Sequence, residues 1–148
     1  MHRAIRTSIA SLLPLALACA APAFAQAAAA PKPIGPYSPL LTAGDLVFLS
    51  GQIAIDPATG KLDPAKSTAE QTTLILSNIR NLLKTQGLDL AHVVQSQVFL
   101  TDMGDFQSMN AAYIAAFGNA RPTRTTVGVN ALALGAKIEI TVVASRKR

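Results

Sequence analysis

An arginine heading one β-branched run and a glutamate inside the next frame the chemistry this chain could do. Arg124 opens Thr125-Thr126-Val127-Gly128-Val129, and Glu139 sits between Ile138 and Ile140 in what otherwise reads as a core strand. A guanidinium offers a carboxylate two parallel N–H donors, a fork that the point charge of a lysine does not reproduce. A carboxylate close to apolar surface can have its pKa raised until it exchanges protons near neutrality. The pair fits a site for a small anionic substrate. It also fits a strand-end charge and its salt-bridge partner, and on these two residues alone that plainer reading is preferred.

Other polar residues stand where a site wall could be. Ile34-Gly35-Pro36-Tyr37-Ser38-Pro39 fixes the backbone around one aromatic, so Tyr37 either presents its hydroxyl to a ligand or packs as a lid over the core; the residues alone favour the lid. Ser50 and Gly51 interrupt a strand pattern, and glycine in a strand marks a bulge or a close backbone approach. Asn110 lies near apolar positions of a helical segment, where it must pin backbone or point at a ligand.

Those residues need a scaffold, and length bounds it. The 148 residues allow one domain with a core of moderate size. MHRAIR, an apolar run broken by Pro14, and Ala23-Phe24-Ala25 occur in the order of a secretory signal peptide, expected over residues 1–25. Cys19 offers lipidation as an alternative, but Ala16-Leu17-Ala18 is a loose match to the residues expected before such a cysteine. The chain is therefore expected to be exported, into the periplasm, with no membrane association after cleavage.

Removing that leader takes away Cys19 and His2, the sole cysteine and one of two histidines. With His92 alone, a zinc centre of the usual kind is out of reach, and a Ser-His-Asp triad would have to use it. His92 at the head of a strand reads as a surface residue. Without Arg3 and Arg6, eleven Lys and Arg face eight Asp and Glu, and Arg146-Lys147-Arg148 accounts for the excess. The body is near neutral and lacks the basic-aromatic interleaving of a nucleic-acid face, so no nucleic-acid partner is expected and residues 146–148 read as a solvated basic tail.

Residues 26–33 read as a disordered lead-in to a domain over 34–145. Asp45 to Ser50 is a strand, resuming at Ile53 before a turn over residues 56–60. Ser67-Thr68-Ala69-Glu70 has the spacing of a capping box, and Leu74, Ile75, Ile79, Leu82 and Leu83 recur at helical spacing until Gly87. Val93 to Leu100 is a strand with a polar middle. A second helix follows, with Phe106, Met109, Tyr113, Ile114 and Phe117 as its apolar side and Gly118 closing it. Arg124 to Asn130 and Lys137 to Ala144 are the last strands, the latter placing Glu139 opposite its isoleucines. Two helices on one face of a mixed sheet suit this order. The other face is too large for the chain to cover, so association is expected to bury it, with sites between subunits.

These pieces carry a resemblance to the RidA family, also called YjgF/YER057c/UK114, the reactive enamine and imine deaminases. It rests on Ile34-Gly35-Pro36-Tyr37-Ser38, Ser50-Gly51-Gln52-Ile53, Asn78-Ile79, Val98-Phe99-Leu100-Thr101-Asp102-Met103, Phe106, Asn110-Ala111-Ala112-Tyr113, Pro122-Thr123-Arg124 and Ile138-Glu139-Ile140, in that order. The resemblance implies an α+β, chorismate-mutase-like (YjgF-like) fold and a homotrimer with clefts between subunits. It further implies hydrolytic deamination of 2-enamine and 2-imine acids to 2-keto acids and ammonia, without metal or redox cofactor. Arg124 would clamp the substrate carboxylate, Glu139 would activate water and Tyr37 would orient the substrate. Ser50, Gly51, Asn110 and Thr126 would line the cleft; Thr126 stands where many members have cysteine, which bears on substrate preference. The alternative is a non-catalytic binder of small carboxylates such as 2-keto acids, or a stress-related chaperone-like protein.

Overall fold

The computed structural model describes residues 35–147; the expected leader and lead-in lie outside the described residues. Helix α1 (Thr68–Lys84) starts where its capping box predicts. The Glu70 N–H donates to the Ser67 hydroxyl at 3.3 Å, and the Glu70 carboxylate accepts the Ser67 N–H at 2.8 Å. Two orphan donors of the first turn are thereby satisfied. At the other end Gly87 takes φ 71°, its N–H donates to the Lys84 carbonyl, and Leu88 N–H reaches Leu83 at 3.0 Å. This is a Schellman stop, which a residue with a Cβ would strain. Ile75, Leu76, Ile79, Leu82 and Leu83 form the buried face, with Leu74 only half-buried.

Five strands make the main sheet in the order β1-β2-β7-β5-β6: β1 (Leu40–Ala43), β2 (Leu46–Leu49), β5 (Val93–Leu100), β6 (Thr123–Gly128) and β7 (Ile138–Ser145). β3 (Ile55–Asp56) and β4 (Lys61–Leu62) form a separate ribbon across the expected turn. β1 was not expected from the sequence. It pairs with β2 across a two-residue turn in which Gly44 takes φ 59°, so Asp45 belongs to the hairpin rather than to the strand. β5 and β6 run parallel, joined across the sheet by helix α2 (Phe106–Phe117), while β7 is antiparallel to β5 and β2.

Both helices lie on one face. Val47, Leu49, Val93, Val98, Leu100, Ile138, Ile140 and Val142 point at them and complete one core with Met109, Tyr113 and Phe117. Ile114, read as part of the apolar side of α2, instead faces outward and is 53% exposed. A register shift between Val93 and Gln95 makes Val94 an extra residue, so that Val93 and Ser96 both point inward although three positions apart. The opposite face is not covered by any other described element and carries Leu41, 60% exposed, and Phe48, 41% exposed.

Part of the basic tail folds back onto the body. Arg146 donates to the backbone carbonyl and side-chain oxygen of Gln86, and Lys147 pairs with Asp45 at 2.6 Å. His92 is half-buried, its Nδ1 accepting the Asp89 N–H at 3.1 Å at the short helical turn before β5.

Candidate active site

The residues singled out in the sequence fall into two groups, one on each side of the sheet. Arg124 pairs in register with Ser96, whose side chain is buried under α2, and therefore points toward that helix. Glu139 pairs with Phe99 and alternates with the buried Ile138 and Ile140, and therefore points to the uncovered face. Within one chain the guanidinium and the carboxylate look away from each other.

The first group is built by α2 and β6. The Arg124 guanidinium lies over the Tyr113 ring, 4.7 Å from its centroid, with Phe106 at 5.9 Å. Such cation–π contacts draw on the ring quadrupole and leave the in-plane N–H groups free. Arg80 is tied to Asp89 and the Ala116 carbonyl, Arg121 to the carbonyls of Gly118 and Ala120, and Arg146 to Gln86. The Arg124 guanidinium has no hydrogen bond or ion pair to any described residue. Asn110 lies one turn from Phe106 and Tyr113 on the same side of α2, half-buried, its amide likewise unbonded to described residues. Thr126, two residues beyond Arg124, has its hydroxyl closed off from solvent and unpartnered.

The Tyr113 hydroxyl is 2.7 Å from Ser96 Oγ, and its ring stacks on Phe117 with centroids 4.3 Å apart. Burial pushes the phenol pKa above its ordinary value, against the opposing pull of the Ser96 hydrogen bond and the Arg124 charge. The ring facing Arg124 is thus a neutral phenol at physiological pH.

The second group surrounds Glu139. A Cβ at Gly51 would lie 2.8 Å from Glu139 Cδ and closer still to its carboxylate oxygen, so the carboxylate occupies the space that this glycine leaves open. Gln52 and Ile140 exchange both backbone hydrogen bonds, at 2.9 and 3.0 Å, which holds residues 51 and 139 against each other. Ser50 Oγ donates to the Ser38 carbonyl at 2.7 Å and Ser50 N–H to Pro39 at 3.0 Å, pinning the turn that carries Tyr37 beside Ser50. Tyr37 is 47% exposed, its ring against Gly35, and does not serve as a lid over the core. The Glu139 carboxylate too has no hydrogen bond or ion pair to a described residue.

Tyr113, read from the sequence only as helix core, and Ser96, read only as a polar strand middle, belong to the first group. The only signals were the small serine between Gln95 and Gln97 in the polar middle of that strand and the Phe106/Asn110/Tyr113 spacing. A shallow cavity of about 160 Å³, lined by Phe48, Gln95, Gln97, Thr141 and Val143 with Leu49, Ser96 and Val142 behind them, is reached by none of the candidate site residues singled out in the sequence and, of the first group, only by Ser96. Among the described residues no group of three or more His, Cys, Asp or Glu could hold a metal ion.

A mixed sheet with two helices on one face, an unspent arginine at one edge and a glutamate against a glycine on the far side defines a YjgF-like α+β protein. The chain belongs to the RidA/YjgF family: residues 27–146 match the family model described as Endoribonuclease L-PSP. It is 43% identical over 116 residues to the RutC family protein y4sK of Sinorhizobium fredii, covering 78% of this chain and 91% of that one. It is 38% identical over 117 residues to the 2-iminobutanoate/2-iminopropanoate deaminase of Bos taurus, covering 79% and 85% respectively. The crystal structure of E. coli TdcF with bound serine superposes with a TM-score of 0.74 at 35% identity, over 80% of this chain and 94% of that one. The family therefore includes reactive-intermediate deaminases alongside members named for other activities.

Proposed function

We propose that this chain is a hydrolytic deaminase of 2-enamine and 2-imine acids whose active sites form where copies of the chain meet. One observation carries the reading: a cation and an anion, both without a counter-ion among the described residues, stand on opposite faces of one sheet. A charge kept half-buried without a counter-ion is costly unless something else supplies the partner. A second copy bringing its Glu139 toward this Arg124 would assemble both, and a homotrimer offers three such clefts while covering Leu41 and Phe48.

In that cleft Arg124 would take the substrate carboxylate in its fork, leaving the imine carbon beside Glu139. Water adds to that electrophilic carbon as Glu139 accepts a proton. Returning that proton to nitrogen gives the carbinolamine, and passing its hydroxyl proton to the same nitrogen as the C–N bond breaks releases ammonia and leaves the 2-keto acid. Tyr37 and Ser50 would border the Glu139 side, Asn110 and Thr126 the arginine side. The deaminase among the relatives supports this chemistry, and the serine held by TdcF supports a small amino-acid-like carboxylate as ligand. The latter observation equally favours a second reading, a binder of small carboxylates without turnover. The leader read at residues 1–25 would place the protein in the periplasm, which a mature mass beginning at Gln26 in a periplasmic fraction would establish.

Freshly generated 2-iminopropionate should disappear faster with the purified chain than without it, and Arg124→Ala should remove at least about a hundredfold of that acceleration. Refolding Arg124→Ala together with the equally inactive Glu139→Gln should restore part of it, because a hybrid interface can pair an intact arginine with an intact glutamate. Equal decay with wild type and Arg124→Ala would sink the enzyme reading. Binding of pyruvate that raises the melting temperature without any turnover would leave the binder.

A further inference from the structure

We infer that Tyr113 is a positioning residue, whose ring aims the Arg124 guanidinium with its hydrogen-bonding edge free. The inference rests on the reading above that Arg124 receives the substrate carboxylate, and asks what holds the arginine ready for it. An arginine side chain at a sheet edge has several free torsions, and freezing them costs entropy that binding must otherwise meet. The usual device is a carboxylate or carbonyl that holds the guanidinium, as Asp89 and Ala116 hold Arg80. That device consumes the donors a substrate needs. At Arg124 the contact is instead with ring faces, Tyr113 at 4.7 Å and Phe106 at 5.9 Å. A stacked guanidinium spends its face and keeps its edge.

The seat is itself fixed. Tyr113 is 6% exposed, its hydroxyl is hydrogen-bonded to Ser96 and its ring stacks on Phe117. Ser96 is the register partner of Arg124 on the neighbouring strand, so one rung of the sheet positions both the arginine backbone and the ring beneath its head group. A lysine at 124 would have no planar face to lay on this ring.

The test combines a measurement on the wild-type protein with two variants. Ring current from Tyr113 should move the Arg124 Nε–H resonance upfield of those of Arg80, Arg121 and Arg146, with assignment by its loss in Arg124→Lys. Tyr113→Leu should abolish that displacement and raise both KM for the imine and Kd for pyruvate about tenfold, with kcat within about twofold. Tyr113→Phe, which keeps the ring and loses only the Ser96 hydrogen bond, should retain the displacement and stay within about threefold of wild type in both constants. Unchanged KM and Kd in folded Tyr113→Leu, or Tyr113→Phe as impaired as Tyr113→Leu, would overturn the inference. If Tyr113→Leu does not fold, an undisplaced Nε–H resonance in wild type overturns it, and a displaced one with an active Tyr113→Phe supports it. A harmless Arg124→Ala with the upfield displacement intact would bring down the carboxylate reading while leaving the seat. A damaging Arg124→Ala beside a wild-type-like Tyr113→Leu would do the reverse.

Discussion

On its covered face the sheet packs its apolar side chains together, and most buried polar atoms there are matched: Ser96 with Tyr113, Thr72 with the Thr68 carbonyl, Gln71 with the Lys137 N–H, the Thr126 hydroxyl being the exception among the described residues. On its uncovered face Leu41 and Phe48 meet water, and Glu139 sits in a glycine-sized recess without a partner. The covered face obeys the rules of a protein interior; the uncovered one shows apolar side chains to water, as the proposed association between copies would require. Arg124 is the exception that links them. It rises on the covered side but at β6, the edge strand, where the helices no longer enclose it. A site that needs both charges must therefore be completed at the sheet's rim by another molecule.

The sharpest way to break this contrast is at Gly51. Gly51→Ala puts a methyl where the Glu139 carboxylate lies, and a displacement of about 1 Å at a reacting group can cost on the order of a hundredfold in turnover. Imine decay should fall by that order while the melting temperature hardly moves. Full activity would show that the recess does not set the carboxylate's place.

The next effect separates folding from association. Ile75→Ala, on the covered face, should cost roughly 2–5 kcal/mol in urea unfolding, because it empties a fully buried site. Phe48→Asp, on the uncovered face, should leave the circular dichroism of the monomer intact and lower the mass measured by light scattering. Phe48→Asp that keeps the wild-type mass would mean that this face is not where copies meet.

What the sequence made legible was governed by distance along the chain. α1 could be read to its capping box and its stop because both signals are local. β7 could be read with Glu139 on its correct side because alternation is local too. β1 went unseen because Leu-Leu-Thr-Ala carries no alternation and only its pairing with β2 defines it. Ile114 was misplaced because α2 turns just three buried positions inward, leaving an apolar residue outside. Arg124 and Glu139 were recognised by type and setting, but their opposite orientations depend on the parallel register of β5 with β6, a long-range fact. The ring beneath Arg124 required that register and the Val94 bulge together, and neither leaves a mark in the residue pattern.

The smallest effect concerns a feature that serves the covered face alone. Ser67→Ala removes the cap of α1, a change worth about 1 kcal/mol in such positions and about 4 °C in melting temperature. The Ser67 side-chain hydrogen bond first, then its backbone N–H, hold the Glu70 carboxyl below its ordinary pKa, with Lys66 and Lys137 nearby adding to the pull. A carboxyl whose pKa is lower folded than unfolded contributes stability above the unfolded value, and that contribution is lost as pH falls through the folded one. Urea unfolding at pH 7 should therefore show the Ser67→Ala deficit in full, and the gap between variant and wild type should narrow well below pH 4.5, the ordinary value for this group. An equal gap at both pH values would mean that the carboxylate half of the capping box contributes nothing. Imine decay should be the same in both proteins at neutral pH, since the helix start touches neither the guanidinium nor the recess that holds Glu139.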